Sequence, residues 1–192
     1  MTAPRRLIVG ITGASGTVYG IRTLQALRAL GVESHLVVSR AGDQTRALET
    51  DLSAEALRAL ADRVYAPCDI AAAISSGSFQ TMGMIVAPCS VRTLGEIATG
   101  VTSGLVSRAA DVCLKERRRL VLMFRETPLH AGHLRNLLAV TEMGAVVAPP
   151  LPAFYAKPAS IDEMVSHSVA RALDLFGLDT RTFPRWTGPA RP

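Results

Sequence analysis

"RLIVGITGASGTVYGIRTLQALRALGVESHLVVS", residues 6–39, decides the fold. "RLIVGI" (6–11) is an apolar run of strand length. Residues 17–30 carry apolar side chains at helical spacing and stop at Gly31, and "ESHLVVS" (33–39) is a second strand. Strand, glycine turn, helix and strand in this order form one crossover unit.

The same alternation runs outward along the chain. "AGDQTRALET" (41–50) and "SAEALRALADR" (53–63) read as helices, and "MGMIVAP" (82–88) as a strand. "SVRTLGEIATG" (90–100) and "LVSRAADVCLKERR" (105–118) are helices, followed by the strand "LVLMF" (120–124). "AGHLRNLLAVTEMG" (131–144) is helical, "AVVAP" (145–149) a strand, and "SIDEMVSHSVARALDLFG" (160–177) a last helix stopped by Gly177. Repeated crossovers imply an α/β fold, a three-layer Rossmann-like (flavodoxin-like) parallel sheet with helices on both faces. The strands are apolar throughout, as expected where both faces are covered. No repeat or linker interrupts residues 1–192, so one domain is expected, with 178–192 as a peripheral tail.

Composition agrees. With 192 residues, 48% hydrophobic and 19% charged, the chain can bury a substantial core and is not broadly disordered. No run of about 18 apolar residues offers a membrane span. The apolar start is short and is punctuated by Gly13 and Gly16, so it reads as a first strand and not as a signal peptide. Cys68, Cys89 and Cys113 are odd in number and form no CxxC pair, which suits reduced thiols in the cytoplasm. The net charge is +5 and the pI about 9.6. Only 5% of residues are aromatic and none interleave with basic ones, which favours anionic small molecules over nucleic acid.

In such sheets ligands sit beyond the C-terminal ends of the strands. The first exit, "GITGASG" (10–16), lets a ligand approach the backbone, and Ser15 opens a helix whose N–H groups favour an anion. The spacing is not GxGxxG, and Ser39 stands where a dinucleotide site wants an acid, so a mononucleotide phosphate fits better. The alternative is a tight turn with Ser15 as N-cap. At the second exit, "APCSVRT" (87–93), Ser90 and Thr93 offer hydroxyls at a helix start, either as caps or as ligand contacts; Cys89 reads as a small buried residue. At the third, Arg125 and Glu126 follow "LVLMF", with Lys115 one connection upstream. They suit phosphate recognition, or form a surface ion pair before a Pro128 turn.

Arg117 to Arg119 read as a solvated helix end. His130 and His133 are spaced i, i+3 without a third ligand, so no metal is expected. His35 and His167 are structural by default. Tyr155 and Trp186 are each a core plug or a ligand lid, and Arg171 is a snorkelling arginine in a helix.

These pieces, in this order, resemble the UbiX-type flavin prenyltransferases over about residues 5–188. The resemblance rests on "GITGASG", "SGSF…GMIVAPCSVRTL…IATG", "RAADVCLKERRRLVL", "RETPL…HLRNLL", "GAVVAPPLPAFYAKP" and "PRW". It implies transfer of a dimethylallyl group from dimethylallyl phosphate to N5 and C6 of reduced FMN, without metal. The product, prenylated FMN, would serve a UbiD-type decarboxylase. It further implies FMN contacts at Gly13, Ala14, Ser15, Ser39, Ser90, Val91, Arg92, Thr93, Arg108 and Arg125. Lys115, Arg125, Glu126, Tyr155, Arg171 and the tail residue Trp186 would surround the prenyl phosphate. Ser15, Glu49 and Glu126 would be the acid–base positions. The resemblance also implies a homododecamer in which Tyr155 and Arg171 reach a neighbouring subunit's site. Phe124 departs from the pattern, since many relatives carry Pro there, and a ring at that position is expected to shift Arg125. Two other classes stay in view. A cysteinyl-peptide decarboxylase using FMN wants a histidine near the second helix, and a flavin carrier does not need the cluster of Lys115, Arg125, Tyr155 and Arg171.

Overall fold

The computed structural model describes residues 5–183 and 188. Six parallel strands form one sheet: β1 (Arg6–Ile11), β2 (Glu33–Val38), β3 (Arg63–Tyr65), β4 (Gly83–Cys89), β5 (Arg119–Phe124) and β6 (Val146–Val147). Their spatial order is β3-β2-β1-β4-β5-β6, the doubly wound Rossmann order. Among the described residues seven α-helices flank the sheet: α1 (Thr17–Ala29), α2 (Arg40–Glu49), α3 (Ala54–Arg58), α4 (Val91–Thr99), α5 (Leu105–Lys115), α6 (Ala131–Glu142) and, after the last strand, α7 (Ile161–Asp174). Tyr155 lies on a short 3₁₀ turn, Phe154–Ala156.

The pleat divides each central strand between two cores. Leu7, Val9 and Ile11 of β1, Ile85 and Ala87 of β4, and Val121 and Met123 of β5 pack with Leu24 and Leu27 of α1 and Val169 and Leu173 of α7. Ile8, Met84, Val86, Leu120, Leu122 and Phe124 pack on the other face with Leu94 of α4, Ala109 and Cys113 of α5 and Val140 of α6. Burying one such Leu or Ile stabilises the fold by about 1.5–3 kcal/mol.

The structure corrects three expectations. "SAEALRALADR" is helical only over Ala54–Arg58, and β3 begins at Arg63. Asp62 accepts hydrogen bonds from Ser34 N (2.7 Å) and Ser34 Oγ (2.9 Å), which ties the chain to β2. From there Arg63–Tyr65 pairs with His35–Val37. Buried His35 reinforces that edge, with Nδ1 2.8 Å from Tyr65 Oη. Second, α5 ends at Lys115 because Arg117 turns into the left-handed region at φ 55°. Third, the Phe124 ring lies in the core with Cys89 and Leu94, so its bulk goes into the sheet face and not into the loop carrying Arg125. Among the described residues no helix is long and apolar enough to cross a membrane.

Candidate active site

The strand order reverses between β1 and β4, which opens a crevice above their C-terminal ends. One buried residue joins its two walls. Thr12 Oγ1 donates to Pro88 O at 2.7 Å and accepts from Ser90 N at 2.8 Å, locking the first and second strand exits together. Thr12→Val keeps the shape but leaves Ser90 N without its acceptor and Pro88 O with only the Thr12 N–H, at 3.3 Å. It is expected to cost about 1–3 kcal/mol, read as a lower denaturation midpoint with an unchanged slope.

The first exit is capped differently from the sequence expectation. Ser15 is not the N-cap of α1. Gly16 takes that position at φ 109°, a conformation glycine adopts freely, and offers no side chain. The cap comes instead from Glu49, at the end of α2. Its carboxylate accepts from Gly16 N at 2.9 and 3.0 Å and from Thr17 N at 2.9 Å. Burial pushes the Glu49 carboxyl upward, but hydrogen bonds from Ser15 and from the Thr17 and Gly16 backbone outweigh it and hold the group below the usual carboxylate value. A pKa depressed by folding gives stability that is present above the unfolded pKa and is lost as pH falls through the folded one. Glu49→Gln is therefore expected to lower the melting temperature at neutral pH. The gap from wild type should shrink on acidification below about pH 4.3, the ordinary glutamate value, as thermal melts over a pH series would show.

Ser39 and Ser90 are both helix caps. Ser39 Oγ accepts from Gly42 N at 3.0 Å to cap α2, and Ser90 Oγ accepts from Thr93 N at 3.3 Å to cap α4. Both also line a cavity of about 480 Å3 in the crevice, with Gly13, Arg92 and Thr93. Arg92 Nε and Ser103 Oγ both donate to Glu96 Oε1, at 2.9 and 2.7 Å. Arg125 does not line this cavity but stands over the first strand exit: its Cδ is 3.3 Å from where a Cβ on Gly16 would sit, and its N–H donates to Cys89 O at 3.1 Å. Glu126 follows it, exposed, accepting from Thr127 N at 2.9 Å. Cys89 is fully buried, and burial pushes its thiol up to about 12, which suits packing and not nucleophilic chemistry.

Other expected residues lie apart from this cavity within one copy of the chain. Arg108 donates to Ser75 O (3.3 Å) and Asp111 (2.8 Å). Lys115 sits at the far end of α5 beside Glu116 and lines another cavity, with Asp111 and Glu142. Tyr155 and Arg171 share a third cavity, of about 340 Å3. Trp186 lies outside the described residues. Stacked His130 and His133 (ring centroids 3.7 Å) begin α6, and His130 Nδ1 accepts from Gly132 N. Among the described residues no group of three or more His, Cys, Asp or Glu side chains is placed to hold a metal ion.

A model of the Flavoprotein family matches residues 1–173. The flavin prenyltransferase UbiX of Neisseria meningitidis is 56% identical over 186 residues, 97% of this chain and 98% of that protein. This chain belongs to the flavin prenyltransferase family. AnUbiX, solved in complex with FMN and dimethylallyl pyrophosphate, superposes with a TM-score of 0.96 at 55% identity, covering 97% of this chain and all of that one. A dodecameric FMN-dependent UbiX-like decarboxylase from Escherichia coli gives 0.93 at 54%, covering 95% of this chain and all of its own.

The crevice of this flavin prenyltransferase fits FMN by its donor chemistry. Ser39, Ser90 and Thr93 bring hydroxyls to helix N-termini, and Arg92 brings a cation, which together suit a phosphate. Pro67, Leu105 and Val106 supply apolar wall for a planar ring, and the volume falls within the usual range of about 300–1,000 Å3 for ligand cavities. Sequence reasoning missed Arg40 and Glu96, which also line it. Arg40 could have been found, since it directly follows the strand-exit residue Ser39. Glu96 sits mid-helix and carries no local signal.

Proposed function

We propose that this protein transfers the dimethylallyl group of dimethylallyl phosphate to N5 and C6 of reduced FMN and delivers prenylated FMN to a UbiD-type decarboxylase. The observation that carries the reading is the crevice between β1 and β4, which gathers phosphate-type donors, an apolar wall and Arg125 in a chain of this family. Bound reduced FMN supplies the nucleophilic ring positions and an aromatic face that stabilises an allylic cation.

The protein supplies the rest. Gly13, Ala14, Ser15, Ser39, Ser90, Val91, Arg92, Thr93, Arg108 and Arg125 hold the flavin. Breaking the allylic C–O bond leaves its electron pair on phosphate, and Lys115, Arg125, Tyr155 and Arg171 stabilise that anion. Ser15 helps hold the Glu49 carboxyl below its usual value, and the two residues would offer a path for a proton beside the flavin. Glu126, with the departing phosphate, takes the proton released on ring closure. Trp186 closes the prenyl end. Enclosure protects the cation from water.

The active form is a homo-oligomer, a dodecamer like the Escherichia coli relative. Supporting this, one copy keeps the Tyr155–Arg171 cavity apart from the flavin crevice. Each chain works as one flavoprotein domain with 178–192 as a peripheral tail. The protein acts in the cytoplasm, in keeping with three unpaired cysteines.

The test is anaerobic incubation of the protein with reduced FMN and dimethylallyl monophosphate, followed by mass analysis of the extracted flavin. A gain of one dimethylallyl unit is expected. Unchanged flavin with both the mono- and the diphosphate, despite tight FMN binding, overturns the reading in favour of a carrier.

A further inference from the structure

His167 is the residue that the proposed chemistry leaves unused and the structure places most pointedly. It is buried on α7, 8% exposed, although the two groups next to it are open. Arg171 lies one helical turn further along the same face, its side chain 56% exposed, and Tyr155 is 57% exposed. His167 Nε2 lies 3.5 Å from Tyr155 Oη, and the two rings meet edge to face at 83° with centroids 5.9 Å apart. All three side chains line the same cavity of about 340 Å3. On its other side the imidazole packs on Phe183, with centroids 4.3 Å apart.

We infer that His167 is a positioning residue: its Nε2–H donates to Tyr155 Oη, which leaves the phenolic O–H to donate, beside Arg171, to the phosphate of the prenyl donor. The inference rests on the proposed function and adds a residue to it. The physical reason is the hydrogen-bond inventory of a phenol. Its oxygen carries one proton, and if that proton were spent on an imidazole lone pair, Tyr155 would offer the anion only lone pairs. A donor behind the oxygen fixes the opposite polarity, and a second donor in series strengthens the first. Burial, and then the charge of Arg171, hold the imidazole below its ordinary pKa, so the ring is neutral and carries a single N–H. Arg171 is meanwhile held by Asp174 at 2.8 Å, so both members of the anion pair have a partner behind them.

Two variants separate positioning from packing. His167→Phe keeps a ring for Tyr155 and Phe183 to pack against but has no N–H. His167→Gln loses the ring but restores an N–H at similar reach. Binding of dimethylallyl monophosphate to the assembled protein is measured by calorimetry without flavin, and KM and kcat are measured with reduced FMN. His167→Phe is expected to weaken monophosphate binding and raise KM by about 5- to 10-fold, the worth of one hydrogen bond, with FMN affinity and kcat little changed. His167→Gln recovers most of that loss. In a Tyr155→Phe background, His167→Phe has no further effect. Wild-type binding by His167→Phe, or a loss in His167→Gln equal to that in His167→Phe, overturns the inference while leaving the proposed function standing. Failure of the wild-type protein both to bind the monophosphate and to prenylate flavin overturns both.

Discussion

Glu126→Gln is expected to keep FMN bound at wild-type affinity and to lower prenyl transfer by about 100- to 10,000-fold, the usual worth of a general acid or base. The substitution is nearly isosteric. A glutamine oxygen can still accept from Thr127 N, so the turn after β5 should hold its shape. What disappears is the capacity to take a proton. Among the described residues Glu126 forms no ion pair, so its carboxylate is not committed to a neighbouring cation. It stands one residue beyond Arg125, whose side chain lies against Gly16 at the mouth of the crevice. Flavin fluorescence titration would give the affinity, and single-turnover product mass the rate. Full turnover with bound FMN would move the proton to the leaving phosphate alone.

The distribution of such residues explains what a reader of the sequence could see. The exits of β1, β2, β4 and β5 were legible, because these strands are apolar runs bounded by helical periodicity, and the ligand end of a parallel sheet follows from topology. Ser39, Ser90 and Thr93, which line the crevice cavity, were picked out that way. β3 was not legible. It has three residues, and it exists because Asp62 bonds to Ser34, 28 positions away. The true cap of α1 was hidden for the same reason: Glu49 reaches Gly16 across 33 positions, while Ser15 looked locally like the cap. Lys115 illustrates a different limit. Sequence proximity placed it near Arg125. However, α5 rises about 16 Å at 1.5 Å per residue, and β5 has to run back up the sheet before Arg125 appears. Local spacing cannot express that return path, and within one copy the lysine opens on a cavity with Asp111 and Glu142.

Gly20→Ala is expected to destabilise the fold, because α1 approaches the sheet there more closely than a Cβ allows. An added Cβ would sit 2.5 Å from Ala87 O and 2.6 and 2.7 Å from the Ile11 side chain. Ile11 could change rotamer, but the carbonyl cannot move alone. It belongs to the strand end that leads into Pro88 and Ser90, which Thr12 binds to the first exit. The helix must therefore lift off, against packing by Leu24 and Leu27. Overpacking of this kind costs about 1–3 kcal/mol, sometimes more. For a domain of this size that corresponds to a fall in melting temperature of roughly 2–12 °C. Helix propensity alone predicts the opposite sign, since alanine exceeds glycine by about 1 kcal/mol in a helix interior. A rise in melting temperature would show that α1 yields easily. A fall accompanied by loss of FMN binding would show that the seating of α1 on β4 is what keeps the two walls of the crevice in register.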